Sequence, residues 1–313
     1  MTTPPDTHTP PVLLLTFNRP HLTTQALDRV RLARPRQLFW ACDGPRPGYP
    51  GDVALVAAVR ALVTTIDWEC ELQTRFLEDN LGCGLGPAAA ITWFFEHVAE
   101  GIILEDDCIP DPSFFPFCFE LLERYRHDER IMLVSGDYSL GHWRASTDSY
   151  YFSHYAETWG WATWRRAWRL YDHSASRWPA VRLGGTLAGS LTGPERRYWI
   201  PIFDRVYRQP RDFWDYQWLL TCLSHGGLSV TPWVNLVTNI GFGADATHTH
   251  DDALKLPSQP MSFPLAHPTA VARNAEADAR LFDAIFARSL ATRILDRLGR
   301  LTAWAYRRLN RTP

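Results

Sequence analysis

The chain has 313 residues, 46% of them hydrophobic and 21% charged, with a formal net charge of −2. That length and balance suit a globular protein with a substantial buried core. A near-neutral chain excludes bulk nucleic-acid binding, which needs a basic surface. The six cysteines, Cys42, Cys70, Cys83, Cys108, Cys118 and Cys222, contain no Cys-x-x-Cys pair and no Cys/His spacing of a zinc site. They read as reduced, mostly buried thiols of a cytoplasmic protein. The 14 tryptophans are expected mainly in the core, with some left to stack on a ligand. Residues 1–10 are polar and lack the basic start and apolar run of a signal peptide. No stretch reaches the roughly 20 apolar residues of a bilayer span. A flexible N-terminus and a soluble or peripheral chain are expected.

In chain order, Val12-Leu13-Leu14-Leu15 is a short apolar run followed by polar Thr16 and Asn18, the pattern of a buried parallel strand. Pro20 opens a helix to about Ala33, with Leu22, Ala26, Leu27 and Val30 on one face. Leu38 to Cys42 is a second strand, Asp52 is placed to cap a helix running to about Val63, and Leu72 to Leu77 is a third strand. Asn80 to Gly86 reads as a Gly-rich loop, Pro87 to about Val98 as a helix and Gly101 to Leu104 as a fourth strand. Alternating strands and helices predict a mostly parallel sheet covered on both faces, with ligands outside the strands' carboxyl ends. Pro112 to Tyr125 is a further helix and Ile131 to Val134 a further strand. Residues 150–243 alternate less regularly and hold aromatic clusters. Ala275 to Asn310 has an apolar helical stripe and a basic end, Arg288 to Arg311. That end suits either solvated arginines on a docked helix or peripheral contact with an anionic membrane.

The sharpest chemical feature is Glu105-Asp106-Asp107 directly after the fourth strand. Three consecutive carboxylates repel one another unless a cation or hydrogen bonds compensate. A hard divalent cation does so, and it also binds the oxygens of a diphosphate. Asp43, in Cys42-Asp43-Gly44, reads equally as a turn residue or as an acceptor for a base N–H. Gly82-Cys83-Gly84-Leu85-Gly86 lacks the spacing and position of a dinucleotide fingerprint, which excludes a nicotinamide enzyme, but it lets backbone approach a ligand. Asp215 lies among Phe213, Trp214, Tyr216 and Trp218 at an expected helix start, either as a first-turn acid or as a general base. His248 and His250 follow Asn239-Ile240-Gly241-Phe242-Gly243 and are candidates for metal or phosphate.

Taken in order, these pieces form a recognisable series. They are Leu15 to Pro20, Cys42-Asp43-Gly44, Asn80-Leu81-Gly82, Ile103 to Asp107, Val134-Ser135-Gly136, Thr158 to Trp164, Phe213-Trp214-Asp215 and Asn239 to Phe242. The series resembles bacterial glycosyltransferases of the GT-A fold from polysaccharide loci and, more distantly, the N-acetylglucosaminyltransferase I family. The resemblance covers about residues 12–250 and implies an α/β fold of GT-A type, a Rossmann-like, mostly parallel sheet with an aromatic-rich acceptor half; the C-terminal amphipathic helix lies outside it. The domain would span 11–255, with a nucleotide-binding half at 11–111, an acceptor half at 112–255 and a helical extension at 256–313. It further implies a UDP-sugar donor and an acceptor that is a carbohydrate, a lipid-linked sugar or a glycoconjugate. Asp107 would be the ligand of Mn2+ or Mg2+, Asp106 would face the ribose, and Glu105 would support the site. Asp43 would bind the base beside Thr16, Asn18, Arg19 and Gly82. Trp159, Gly160 and Trp161 would shape the sugar pocket, His248 would stand near the diphosphate, and Asp215 would be the catalytic base of an inverting transfer.

Two other readings use the same residues. A nucleotidyltransferase making sugar nucleotides needs a comparable sheet, metal and acids, but it usually carries a Gly-rich, basic loop after the first strand, where this chain has Thr16-Phe17-Asn18-Arg19-Pro20. A non-catalytic sugar-nucleotide or carbohydrate-binding module would have no use for both the acidic triplet and Asp215.

Overall fold

A computed structural model describes residues 9–210, 213–241 and 256–287. Its centre is an eight-stranded sheet in the order β3-β2-β1-β4-β8-β6-β9-β7. The strands β1 (Val12–Thr16), β2 (Gln37–Cys42), β3 (Glu71–Phe76) and β4 (Glu100–Glu105) run parallel, as the alternating pattern predicts. Between them lie α1 (Pro20–Ala33), α2 (Pro50–Ala61) and α3 (Gly82–His97). Beyond β5 (Cys108–Pro110) come α4 (Phe114–Tyr125), β6 (Ile131–Ser135), β7 (Tyr150–Ser153) and β8 (Trp161–Trp164). β8 pairs antiparallel to both β4 and β6, so one sheet continues from the first half of the chain into the second.

Both sheet faces are covered. Val12, Leu14, Leu38, Trp40, Ile102 and Leu104 pack with α1, α2 and α4 on one side. Leu13, Leu15, Phe39, Ala41 and Ile103 pack with α3 and with Trp214 and Trp218 on the other. The two faces take alternate residues of each strand, which is why the strands read as continuous apolar runs rather than as alternation. β3, the expected third strand, is the sheet edge, and its side chains are half-exposed or exposed.

Between its strands the aromatic-rich half is helical. The short α5 (Arg165–Trp168), α6 (Trp178–Leu183) and α7 (Thr186–Ser190) lead to α8 (Gly193–Arg208) and α9 (Asp215–Ser224). After β9 (Leu228–Pro232) and β10 (Val237–Asn239), α10 (Ala275–Leu281) continues into π-helical turns at Phe282–Ala287. Leu281 and Phe282 are buried against Tyr198, Trp199 and Phe203, so the expected C-terminal helix begins by docking on the domain. Its basic end, from Arg288 on, lies outside the described residues. Most tryptophans serve the core: Trp40, Trp68, Trp161, Trp164, Trp168, Trp178, Trp199, Trp214, Trp218 and Trp233 are buried. Among the described residues, no helix is long and apolar enough to cross a membrane.

A buried polar network fixes α8, and Ser153 Oγ, beside His154 of that network in sequence, donates to Asp278 of α10 at 2.5 Å. Tyr155 Oη and the Thr192 N–H each donate to the Glu195 carboxylate at 2.6 Å, and His154 Nε2 lies 3.2 Å from it. Burial alone would raise the Glu195 pKa, but the hydrogen bonds from His154, Tyr155 and Thr192 outweigh it and hold the group at about 2. The folded value is therefore below the unfolded 4.5, so this stabilisation is complete above pH 4.5 and drains as pH falls toward 2. Glu195→Gln is expected to cost about 2 kcal/mol in urea unfolding at neutral pH, with the two proteins converging in acid.

Candidate active site

A cleft of about 1770 Å³ opens at the carboxyl ends of β1, β2, β3 and β4 and runs across to α8 and α9. It is lined by Thr16, Asn18, Arg19, Asp43, Gly82, Glu105, Asp106 and Asp107 from the first half, and by Trp159, Asp215, Asn239 and Gly241 from the second. The strand ends expected to carry a ligand site thus converge with Asp215, more than a hundred residues away in sequence.

The acidic triplet sits on the turn from β4 to β5, where the apolar strand leaves the core. Arg19, entering from the loop after β1, donates to Asp106 Oδ1 and lies 3.0 Å from Asp107 Oδ2. Among the described residues it is the cation that pairs with the triplet. Burial raises the Glu105 pKa, and repulsion from Asp107, Asp106 and Asp215 raises it further. Asp106 is raised in the same way by burial and Asp107, against the pull of Arg19. One guanidinium thus faces three carboxylates, and buried Asp106 Oδ2 has no hydrogen-bond partner. A second, hard cation fits that oxygen-rich, under-neutralised turn. No described group of three or more His, Cys, Asp or Glu side chains converges on one point, however. A divalent ion here would use one or two carboxylates, Asp107 and Asp106, and complete its shell with phosphate oxygens and water, the habit of Mg2+ at nucleotide sites.

Asp107 is positioned by a two-stranded sheet in which β10 pairs antiparallel to β5, and by the Ile240 N–H, which donates to its carbonyl at 2.8 Å. The Gly241 N–H donates to Asn239 Oδ1 at 2.7 Å, bringing Gly241 against the Asp107 carboxylate. A Cβ on Gly241 would stand 2.1 Å from Asp107 Oδ2. Gly241→Ala is therefore expected to keep the fold, with an unchanged circular dichroism spectrum, and to displace Asp107. Metal-dependent nucleotide binding should weaken, and turnover should fall by about 10²-fold, the scale of a 1 Å misplacement.

Other expected site residues have protein partners that define what they do. Thr16 Oγ1 donates to the Ala41 carbonyl at 2.9 Å and accepts from Trp40 Nε1 at 3.0 Å, which ties β1 to β2. Asn18 Nδ2 donates to Asp52 Oδ1 at 2.8 Å. Asp52 makes no helix cap. It lies in the first turn of α2 and binds Arg46 Nε at 2.6 Å, and these bonds, chiefly from Arg46, hold its pKa at about 2. Arg46 in turn lies over the Phe17 and Tyr49 rings at the cleft wall. The sequence marks Asn18 and Asp52 separately, and a six-residue Arg46–Asp52 spacing has no local period, so their link to each other and to Arg46 shows only in the fold.

Asp43 accepts from the Gly44 and Leu81 N–H groups on Oδ1, both at 2.9 Å, and from Gly82 N–H at 2.9 Å and Asn80 Nδ2 at 3.1 Å on Oδ2. These bonds explain a second departure: Gly82 to Gly86 is the start of α3 rather than a loop. The carboxylate takes the orphan N–H groups that begin the helix, which offsets the poor helix propensity of glycine. Burial raises the Asp43 pKa against those bonds.

Of the Trp159-Gly160-Trp161 trio, Trp159 lines the cleft. Gly160 has φ +68° and gives its carbonyl to the Gly136 N–H at 2.8 Å, a conformation that a side chain would strain. Trp161 departs from the expected pocket role, because it is buried on β8 and stacks behind Trp214, ring centroids 5.9 Å apart. It backs the cleft wall rather than lining it. Asp215 opens α9 at the cleft, flanked by Phe213, Trp214 and Tyr216. His248 and His250 lie outside the described residues.

No family model and no curated protein matches the sequence. Solved structures do match it. The mannosyltransferase PcManGT from Pyrobaculum calidifontis, in complex with GDP-Man and Mn2+, superposes with a TM-score of 0.33 at 17% identity over 53% of this chain. The match spans 47% of that protein, about half its length. The inositol-1-phosphate CTP transferase from T. maritima gives a TM-score of 0.41 at 10% identity over 77% of this chain and 94% of its own. Mouse xyloside xylosyltransferase 1 gives 0.34 at 10% identity, over 69% and 81%. Superpositions this partial carry no argument about substrate; the mixed α/β architecture stands on the strand order and the cleft themselves.

Proposed function

We propose that the chain is a metal-dependent glycosyltransferase that moves a sugar from a nucleoside diphosphate sugar to an acceptor hydroxyl with inversion. The observation that carries this reading is the placement of Asp215 across one cleft from the under-neutralised Glu105-Asp106-Asp107 turn. The turn suits a diphosphate with its cation, and Asp215 suits the proton of an incoming hydroxyl. The acceptor oxygen attacks the anomeric carbon as Asp215 takes its proton. The bond from that carbon to the phosphate oxygen breaks, and its electron pair leaves with the nucleoside diphosphate. A bound Mn2+ or Mg2+ would supply charge neutralisation for that leaving group. Arg19 holds Asp106 and Asp107 in place, and Trp159 offers a ring face to a sugar. A carbohydrate, lipid-linked or glycoconjugate hydroxyl is the acceptor class implied by the resemblance, with uridine as the implied base.

Nucleotidyl transfer is the second reading. Arg19, Arg46, Arg75, Arg197 and Arg205 all line the cleft, and so many cations suit a triphosphate as well as a diphosphate. One experiment separates the two. Nucleotide sugars are incubated with the protein and Mn2+, and release of the nucleoside diphosphate is followed with water or added sugars as acceptor. Nucleoside triphosphates with sugar 1-phosphates are assayed in parallel for pyrophosphate. Pyrophosphate formation without nucleoside diphosphate release would overturn the glycosyltransferase reading, and binding with no turnover in either assay would leave a binding module.

A further inference from the structure

The resemblance assigns the nucleotide base to Asp43, but that carboxylate is already occupied. Its two oxygens offer about four acceptor positions. Four donors from Gly44, Asn80, Leu81 and Gly82 fill them. A base N–H at Asp43 would have to displace one of these bonds, two of which begin α3.

Arg75, the neighbouring cleft residue on β3, has the opposite problem. In the register of β2 and β3 it lies opposite Ala41, which is itself opposite Leu15 on β1. The three share the sheet face covered by α3. Ala41, Gly86 and Ala90, all small, line the same cleft as Arg75. Arg75 Nε is buried and makes no hydrogen bond, and among the described residues no carboxylate pairs with the group. A buried N–H without an acceptor is costly and uncommon in native proteins. Ordinary surface placement of an arginine at a sheet edge leaves Nε in water. Here Nε is enclosed without a partner, and the residue lines the cleft, where its terminal N–H groups can meet a ligand.

We propose that Arg75, and not Asp43, reads the base of the donor nucleotide through two parallel N–H bonds to neighbouring acceptors on one base edge; this rests on the nucleotide-donor reading above. The rigid fork of a guanidinium matches paired acceptors. Guanine presents O6 and N7 in that way, and cytosine presents O2 and N3. Uracil places an N–H between its two carbonyl oxygens, and adenine sets an amino group beside N7, so neither offers the pair. The donor is accordingly a guanosine or cytidine diphosphate sugar.

The test is calorimetric titration of the full chain in Mn2+ with GDP, CDP, UDP, ADP and inorganic pyrophosphate, on the wild type, Arg75→Ala and Arg75→Lys. The wild type is expected to bind GDP or CDP about tenfold or more tightly than UDP and ADP, the scale of one bidentate contact. The GDP and CDP arms decide which base it is. Both variants are expected to lose that preference and keep pyrophosphate binding; the lysine keeps the charge but not the fork. Weaker pyrophosphate binding in the variants would make Arg75 a phosphate ligand and overturn the proposal. So would a wild type that prefers UDP or ADP, or a preference that survives Arg75→Ala. If a variant fails to fold, the wild-type order and the other variant still decide. Failure of the wild type to bind any nucleotide would instead remove the donor-site reading beneath it.

Discussion

Asp215→Asn is expected to leave nucleotide binding unchanged while transfer falls by about 10²–10⁴-fold, the range contributed by a positioned general base. Asparagine keeps the size and the first-turn position at the start of α9 but cannot take a proton. The neighbours Phe213, Trp214 and Tyr216 keep their packing, so the cleft wall should survive. The measurement is a pair: the dissociation constant for the nucleoside diphosphate, and the rate of sugar transfer at saturating donor. A loss confined to the rate supports the base. Transfer at the wild-type rate would mean that Asp215 is a first-turn acid and nothing more. A parallel loss of binding would place its role in holding the donor.

Asp107→Asn should produce the other pattern, with metal-stimulated nucleotide binding and turnover lost together. A cation at a diphosphate is worth several kcal/mol of charge stabilisation, so the fall in turnover should exceed about 10²-fold. Removing this charge also relieves part of the repulsion that raises Glu105 and Asp106, so the variant protein should be no less stable than the wild type. Titration of Mn2+ with and without nucleotide, together with thermal melting, reads both effects. A variant that still binds nucleotide in a metal-dependent way would exclude Asp107 as a ligand. Gly241→Ala, which displaces the same carboxylate without removing it, should lie between this variant and the wild type.

What the sequence determined by itself was the layout of the sheet and the chemistry at its edge. Apolar runs such as Val12 to Leu15 and Gly101 to Leu104 read as parallel strands because both faces are covered, and the acids after Leu104 stood out because a buried strand seldom ends in three. The helices and strands of residues 150–240 were less legible. There β7 pairs with β9 and β10 with β5, contacts that join segments far apart in the chain and leave no local period.

Only the tertiary structure decided who neutralises whom. Arg19 reaches carboxylates 87 residues away, and Asp43 is filled by donors as distant as Gly82, a partner set that Asp-Gly as a turn pair does not announce. Gly82 to Gly86 reads locally as a loop and is helix because that carboxylate holds its first N–H groups. Trp161 looked like its neighbour Trp159, yet β-strand alternation and the stack with Trp214 put it in the core. A sequence records residue types and local periods, whereas hydrogen-bond capacity is used up by partners that only the folded chain brings within 3 Å of one another.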